Sequence, residues 1–315
     1  MKKRLSIAAG AAVSLGFLYL ALRNIDAGLM AASFSRADWR WLPVLAAVGF
    51  FELFLRGLKW KLLLDPVGRA GVLDCFRLES AGLALNNILP FRLGELARAG
   101  FASRYFSIPL LTVLSTIVVE RVLDTVALIG LFMAAAALGG VTASVAGHAG
   151  FFWIALGGVT AAVAALVFAE EVLERSFLKK AFRRFPSAEK FLRQAALGAK
   201  AFHKPRRAVE LLLLSLFQWS LDALNMWLAA MAFGIEGIIG FTRGITLIFT
   251  GAAAASVPGV PGYFGNFEYA VARVASEWGL DMSLGVAYAG WVHIISYLVI
   301  TVTGLIFLYG MGQSL

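Results

Sequence analysis

Apolar residues fill long, nearly uncharged blocks of this chain, at 5–22, 122–138, 151–169, 211–233 and 284–308. Each is close to the ~20 residues that a helix needs to cross the hydrocarbon core of a bilayer. The blocks do not show the alternating ten-residue segments of a membrane barrel. With their flanks they predict an all-α polytopic membrane protein of about six full spans, near 5–22, 41–58, 111–138, 151–169, 208–233 and 284–310. Two further apolar stretches are too short or too interrupted to span. One is ESAGLALNNILP at 79–90, and the other runs from 244 to Glu268 through PGVPGYFGNFE. Pro90 and Gly94 break the first; Pro258, Pro261, Gly262 and Gly265 break the second. Proline lacks a backbone donor and pushes the preceding residue out of the helix. Such breaks at membrane depth are tolerated where they line a cavity or are buried in protein. Both stretches are therefore expected to be re-entrant broken-helix hairpins.

Charge adds a direction. The chain has 315 residues, 60% hydrophobic and 15% charged, with mean hydropathy +0.80; soluble domains carry roughly 25% charge. Segment 170–207 has eleven Lys/Arg against four Asp/Glu, a net +7 of the chain's +9. A basic segment between spans marks the cytoplasmic side and attracts anionic lipid, and no nucleic-acid partner is implied. Basic residues at 2–4 place the N-terminus there too. On this count the span at 41–58 returns inward, delivering Arg56, Lys59, Lys61 and Arg69 to the cytoplasm, with Trp39, Trp41 and Trp60 as interfacial anchors. The first hairpin then enters from the cytoplasm and the second from outside, the pattern of an inverted repeat. The organisation expected is one transmembrane domain, 1–315, with halves at 1–169 and 208–315 flanking the 170–207 loop.

Polar residues keep helical register inside the apolar blocks. Ser215, Gln218, Asp222 and Asn225 share one face, with Trp219 beside it as packing. Glu52 and Arg56 are four apart, as are Glu120 and Asp124, with Arg121 between. Ionisable groups in spans are costly and usually face a bundle interior. Each pair alone could be a structural bridge; together they indicate a polar site. Arginine suits bidentate contact with phosphate, which points to Arg92, Arg98 and Arg121. His148, His203 and His293 are scattered, and Cys75 is the only cysteine, so neither a metal site nor a disulfide is expected. There is no phosphate loop and no readable nucleophile–base arrangement.

Three segments, NNILPFRLGELARAG (86–100), ERVLD (120–124) and PGVPGYFGNFE (258–268), together resemble the lysylphosphatidylglycerol synthase transmembrane-region family, also called flippase-like domain proteins. The resemblance covers roughly 5–310. Its first motif falls on Asn86, Pro90, Arg92, Gly94, Glu95 and Arg98. The third departs from the family pattern, because Tyr263 follows Gly262 where a second glycine is usual. Larger relatives join this domain to a soluble aminoacyl-transferase; none is readable before Leu315, so the resemblance argues against an enzyme.

The function expected is translocation of an anionic phospholipid or polyprenyl-linked lipid across the inner membrane, without a cofactor. Asn86, Asn87, Arg92, Arg98, Arg121 and Asp222 would hold the headgroup. Glu95, Glu120, Asp124 and Glu268 would gate or couple transport. The alternatives are a membrane subunit that docks a cytoplasmic lipid-synthesis enzyme, and an integral enzyme acting on a polyprenyl phosphate. The expected orientation of the spans can be tested directly. In a Cys75→Ser background, Lys190→Cys and Val145→Cys should react with an impermeant thiol reagent from opposite sides of the membrane. Labelling of position 190 from outside the cell would overturn it.

Overall fold

In the computed structural model of the chain, the described residues are 27–89, 93–147, 157–158, 161, 189, 193–194, 196–256 and 261–312. The expected span at 5–22, nearly all of that at 151–169, and Pro90, Arg92 and Pro258 lie outside them. The secondary structure described is helical. A short helix, α1 (Ala27–Arg36), is followed by a 3-10 turn at Trp39–Trp41. Four helices follow: α2 (Leu42–Leu64), α3 (Val72–Ile88), α4 (Leu93–Tyr105) and α5 (Leu110–Ala137). After a short turn of helix at Ala143–Ala146 and a 3-10 turn at Lys200–His203 come α6 (Pro205–Ala232), α7 (Phe241–Ala255), α8 (Asn266–Ser276) and α9 (Met282–Gly312).

The second four helices repeat the first four in length: long, short, short, long. The short pairs have 17 and 13 residues in α3 and α4, and 15 and 11 in α7 and α8. At about 1.5 Å per residue none of these four exceeds ~26 Å. Each short pair folds back on itself as a hairpin. Packing repeats as well. α3 lies against α9, and its counterpart α7 lies against α5. The central helices α2 and α6 are antiparallel: Gly49, Arg56 and Lys59 meet Asn225, Asp222 and Gln218 in turn.

Among the described residues three helices are long and apolar enough to cross a membrane: Trp39–Leu64, Pro205–Ala232 and Met282–Gly310. α5 is as long, with 28 residues, but carries Glu120, Arg121 and Asp124 near its middle. The two larger apolar cores among the described residues lie at opposite ends of α2. One gathers Leu45, Met226, Phe267, Val271 and Tyr288, the other Leu63, Leu78, Ala99, Ile117 and Leu211. Glu52, Arg56 and Lys59 lie along α2 between them.

The span expected at 41–58 is too short. The helix continues to Leu64, and Lys59 and Trp60 face the inside of the bundle, fully buried, where an interfacial flank was expected. Trp60 donates its indole N–H to Thr116 Oγ1 at 3.1 Å, which satisfies it without water. Trp39, by contrast, is exposed.

α3 is gripped by close approach on three sides. A Cβ on Gly57 of α2, Gly94 of α4 or Gly304 of α9 would run into Phe76, the Gly82 carbonyl and Asn86 N, or the Ser80 carbonyl. These obstacles include backbone, so they cannot rotate away. Gly94→Ala and Gly304→Ala are expected to cost about 1–3 kcal/mol each as overpacking. Gly100→Ala, which meets nothing within 4 Å, should be neutral. Thermal unfolding in detergent separates the three, and an unchanged midpoint for Gly94→Ala would sink the close-packing account.

Candidate functional site

The polar face read on α6 becomes one wall of a buried ionic layer. α2 supplies Glu52, Arg56 and Lys59; α3 supplies Glu79; α4 supplies Glu95 and Arg98; α5 supplies Glu120, Arg121 and Asp124. Their position is set by helix geometry. The groups lie inside α2, α5 and α6: Asp124 and Gln218 sit near the middle of α5 and α6, and Lys59 lies five residues before the end of α2.

Arg98 is almost fully enclosed, with a side chain 2% exposed. It pairs with Glu79, sits 2.6 Å from Glu120 Oε2, and lies over the Trp60 ring at 3.9 Å from the centroid. Lys59 is fully buried; it donates to Asp124 and, at 2.9 Å, to Gln218 Oε1, with Glu120 Oε1 at 3.8 Å. Ser215 Oγ donates to Asp124 Oδ1 at 3.2 Å. Arg56 pairs with Glu52 one turn back and lies 3.8 Å from Asp222. Trp219, expected as packing, sits against Phe132-side apolar residues, with Arg56 5.9 Å from its ring centroid.

Arg121 is different. It is surrounded by Glu95, Asp124, Glu79 and Glu120 at 3.5, 3.6, 3.8 and 3.9 Å. Among the described residues its Nε and Nη2 make no hydrogen bond, and neither do Glu120 Oε1, Asp124 Oδ2, Asp222 Oδ2 or Asn225 Oδ1. Buried polar atoms are normally satisfied, so this set of donors and acceptors is chemically able to receive a polar group.

The other expected residues divide. Asn86 faces the α3–α4 contact, against Gly94. Asn87 turns to α9, donating to Thr301 Oγ1 at 2.9 Å, and does not join the layer. Glu268 lies in the second hairpin, bonded to His293, apart from Glu95. Gly262 and Gly265 have φ of 76° and 90°, in the left-handed region that glycine reaches freely. Tyr263 shares that region at φ 60°, so the residue that departs from the family pattern sits where a glycine would be unstrained.

Glu79 and Lys59 were missed by sequence reasoning. Glu79, Gly82 and Asn86 are spaced three and four apart, one face of a helix, and that signal was available. Lys59 gave no such signal, because a lysine at the end of an apolar run resembles an interfacial flank. No group of three or more His, Cys, Asp or Glu able to hold a metal occurs among the described residues.

Lys59 gives the stability test. Lys59→Met leaves Asp124 and Glu120 facing a lost charge and should cost about 3–5 kcal/mol. Adding Asp124→Asn should restore at least half. Unfolding midpoints of the single and double variants decide it, and strict additivity would show that the pair is not coupled.

The family described as lysylphosphatidylglycerol synthase TM region matches this chain over residues 7–304. A UPF0104 membrane protein of Methanothermobacter thermautotrophicus is 26% identical over 286 residues, covering 86% of this chain and 83% of the relative. No solved structure matches the chain.

Proposed function

The chain belongs to the lysylphosphatidylglycerol synthase TM-region family, and we propose that it moves a phosphate-bearing lipid across the cell's inner membrane without covalent chemistry. One observation carries this reading: the ionic layer opens most at three side chains. Arg121, Glu95 and Asp222 keep 30%, 26% and 24% of their side-chain surface, whereas Lys59, Glu79, Glu120 and Arg98 keep 2% or less. The sealed cations are already matched by internal carboxylates. Arg121 meets four carboxylates only at 3.5–3.9 Å and keeps more side-chain surface than the layer's other cations, so its guanidinium is the one a phosphate would reach through charge-assisted hydrogen bonds.

The balance of charge narrows the headgroup. The layer's described residues include six carboxylates (Glu52, Glu79, Glu95, Glu120, Asp124, Asp222) against four cations (Arg56, Lys59, Arg98, Arg121). A bare phosphate would add to that excess. A headgroup with phosphate on Arg121 and hydroxyl or amine donors on Glu95 and Asp222 fits better. The antiparallel α2 and α6, and two hairpins too short to span, support an inverted repeat of re-entrant hairpins around a midplane site. The N-terminus and the 170–207 loop are then cytoplasmic, and that basic loop is the surface on which a cytoplasmic lipid-synthesis enzyme would dock.

Purified protein in liposomes tests this. Scrambling of a fluorescent phospholipid should exceed that of protein-free vesicles. Arg121→Gln should lower the rate at least tenfold, with Arg121→Lys between them. Product formed from a polyprenyl phosphate, with no scrambling, would replace this reading by the enzymatic one. Scrambling indifferent to Arg121→Gln would move the headgroup site elsewhere.

A further inference from the structure

The two halves repeat one device. α4 and α8 each carry a glutamate as their third residue, Glu95 and Glu268. α5 and α9 each carry a nitrogen base as their twelfth residue, Arg121 and His293. In the fold each glutamate meets its base. Arg121 Nε lies 3.5 Å from Glu95 Oε1, and His293 Nδ1 lies 2.6 Å from Glu268 Oε1. The bases differ in kind. A guanidinium stays charged in proteins, whereas histidine is the side chain that changes charge between pH 5 and 8.

The second pair is enclosed and, among the described residues, set apart from other charge. Its side chains are 12% and 10% exposed. Phe264 stacks on the imidazole with centroids 4.5 Å apart, and Phe267 lies at 4.9 Å. Glu268 Oε2 accepts the Gly265 N–H at 2.7 Å, tying the carboxylate to the turn that starts α8. Among the described residues, the ionisable groups on the surrounding helices are engaged elsewhere. On α7 there is only Arg243, which donates to the Ile238 carbonyl. On α8, Arg273 pairs with Glu277 at the far end. α3 presents Asn86 and Asn87 at its near end; Asp74, Arg77 and Glu79 lie towards the other. Glu52 and Arg56 of α2 and Asp222 of α6 belong to the ionic layer. On α1 there is only Arg36. Of the nearby phenols, Tyr297 packs on Phe264, Tyr288 donates to the Met226 carbonyl, and Tyr263 and Tyr269 flank the turn.

We propose that Glu268 and His293 form a proton-binding site that sets the position of the second hairpin. With the imidazole protonated, the pair is an ion pair that holds α8 against α9. Loss of that proton leaves a weaker hydrogen bond from a neutral ring, and the left-handed turn at Gly262, Tyr263 and Gly265 is released to rearrange. The first hairpin, held by Arg121, has no such response. This deepens the translocator reading by naming the ion that biases one of its two hairpins, but proton binding itself does not require transport.

The chain has three histidines, so His148→Asn with His203→Asn leaves one imidazole. Its nitrogen resonances in nanodiscs report whether the ring carries a proton, and should differ between acidic and alkaline samples. Amide protection factors over 266–270 should fall at least fivefold from pH 5.5 to 8.5. His293→Arg copies the first pair and should keep the fold while losing that response; His293→Gln should lower protection at both pH values. An imidazole with one protonation state throughout, or a wild-type pH response in His293→Arg, overturns the proposal. If the titration and protection change hold but no lipid moves, the proton site stands and the translocator reading falls. If lipid moves with the same pH profile in His293→Arg, the reverse is true.

Discussion

A charge in an apolar interior costs several kcal/mol unless another charge meets it. Arg98 shows how this chain meets that demand and what it imposes. One guanidinium on α4 joins Glu79 of α3 and Glu120 of α5 and covers Trp60 of α2. Four helices are fixed relative to one another by a single side chain. The contact requires α3 and α4 to lie almost backbone to backbone, which is why a Cβ on Gly82 would meet the Arg98 stem at 2.8 Å. The glycines of the hairpin and the charges of the layer are therefore one design, since neither is tenable without the other.

The internal repeat makes the uneven chemistry of the two halves informative. α2 to α5 hold a dense network in which Arg121 touches four carboxylates. The corresponding place in α8 and α9 holds one Glu–His pair among aromatic rings. A network with many members resists displacement, because every shift breaks several contacts at once. An isolated pair can separate at the cost of one. The same backbone plan thus supplies a stiff half and a compliant half.

Much of this could be read before any coordinates. Apolar block length gave the helical class, and register gave the α6 face of Ser215, Gln218, Asp222 and Asn225. Proline and glycine marked both breaks. What could not be read was depth. Hydropathy treats a lysine after an apolar run as an end of the helix, yet Lys59 lies five residues before the end of α2. Its burial depends on Asp124 and Gln218, which are remote in sequence. Asn87 failed for the neighbouring reason: adjacent residues on a helix point about 100° apart, so Asn86 and Asn87 face different partners. The equivalence of His293 with Arg121 was hidden because the residues differ in type and only their places in the helices agree.

Lys59 has a consequence for how the protein is made. Its partners Asp124 and Gln218 follow it by 65 and 159 residues. At synthesis rates of about 5–20 residues per second, the first arrives roughly 3–13 s later and the second roughly 8–32 s later. Glu52 can neutralise Arg56 within the same helix, but Lys59 has no comparable neighbour among the bonds it makes. During that interval α2 cannot rest in lipid in its final register without an unmatched ammonium. That register becomes electrostatically matched only when α5 and α6 emerge. Assembly order is thereby written into the separation between one lysine and the two residues that accept its hydrogen bonds.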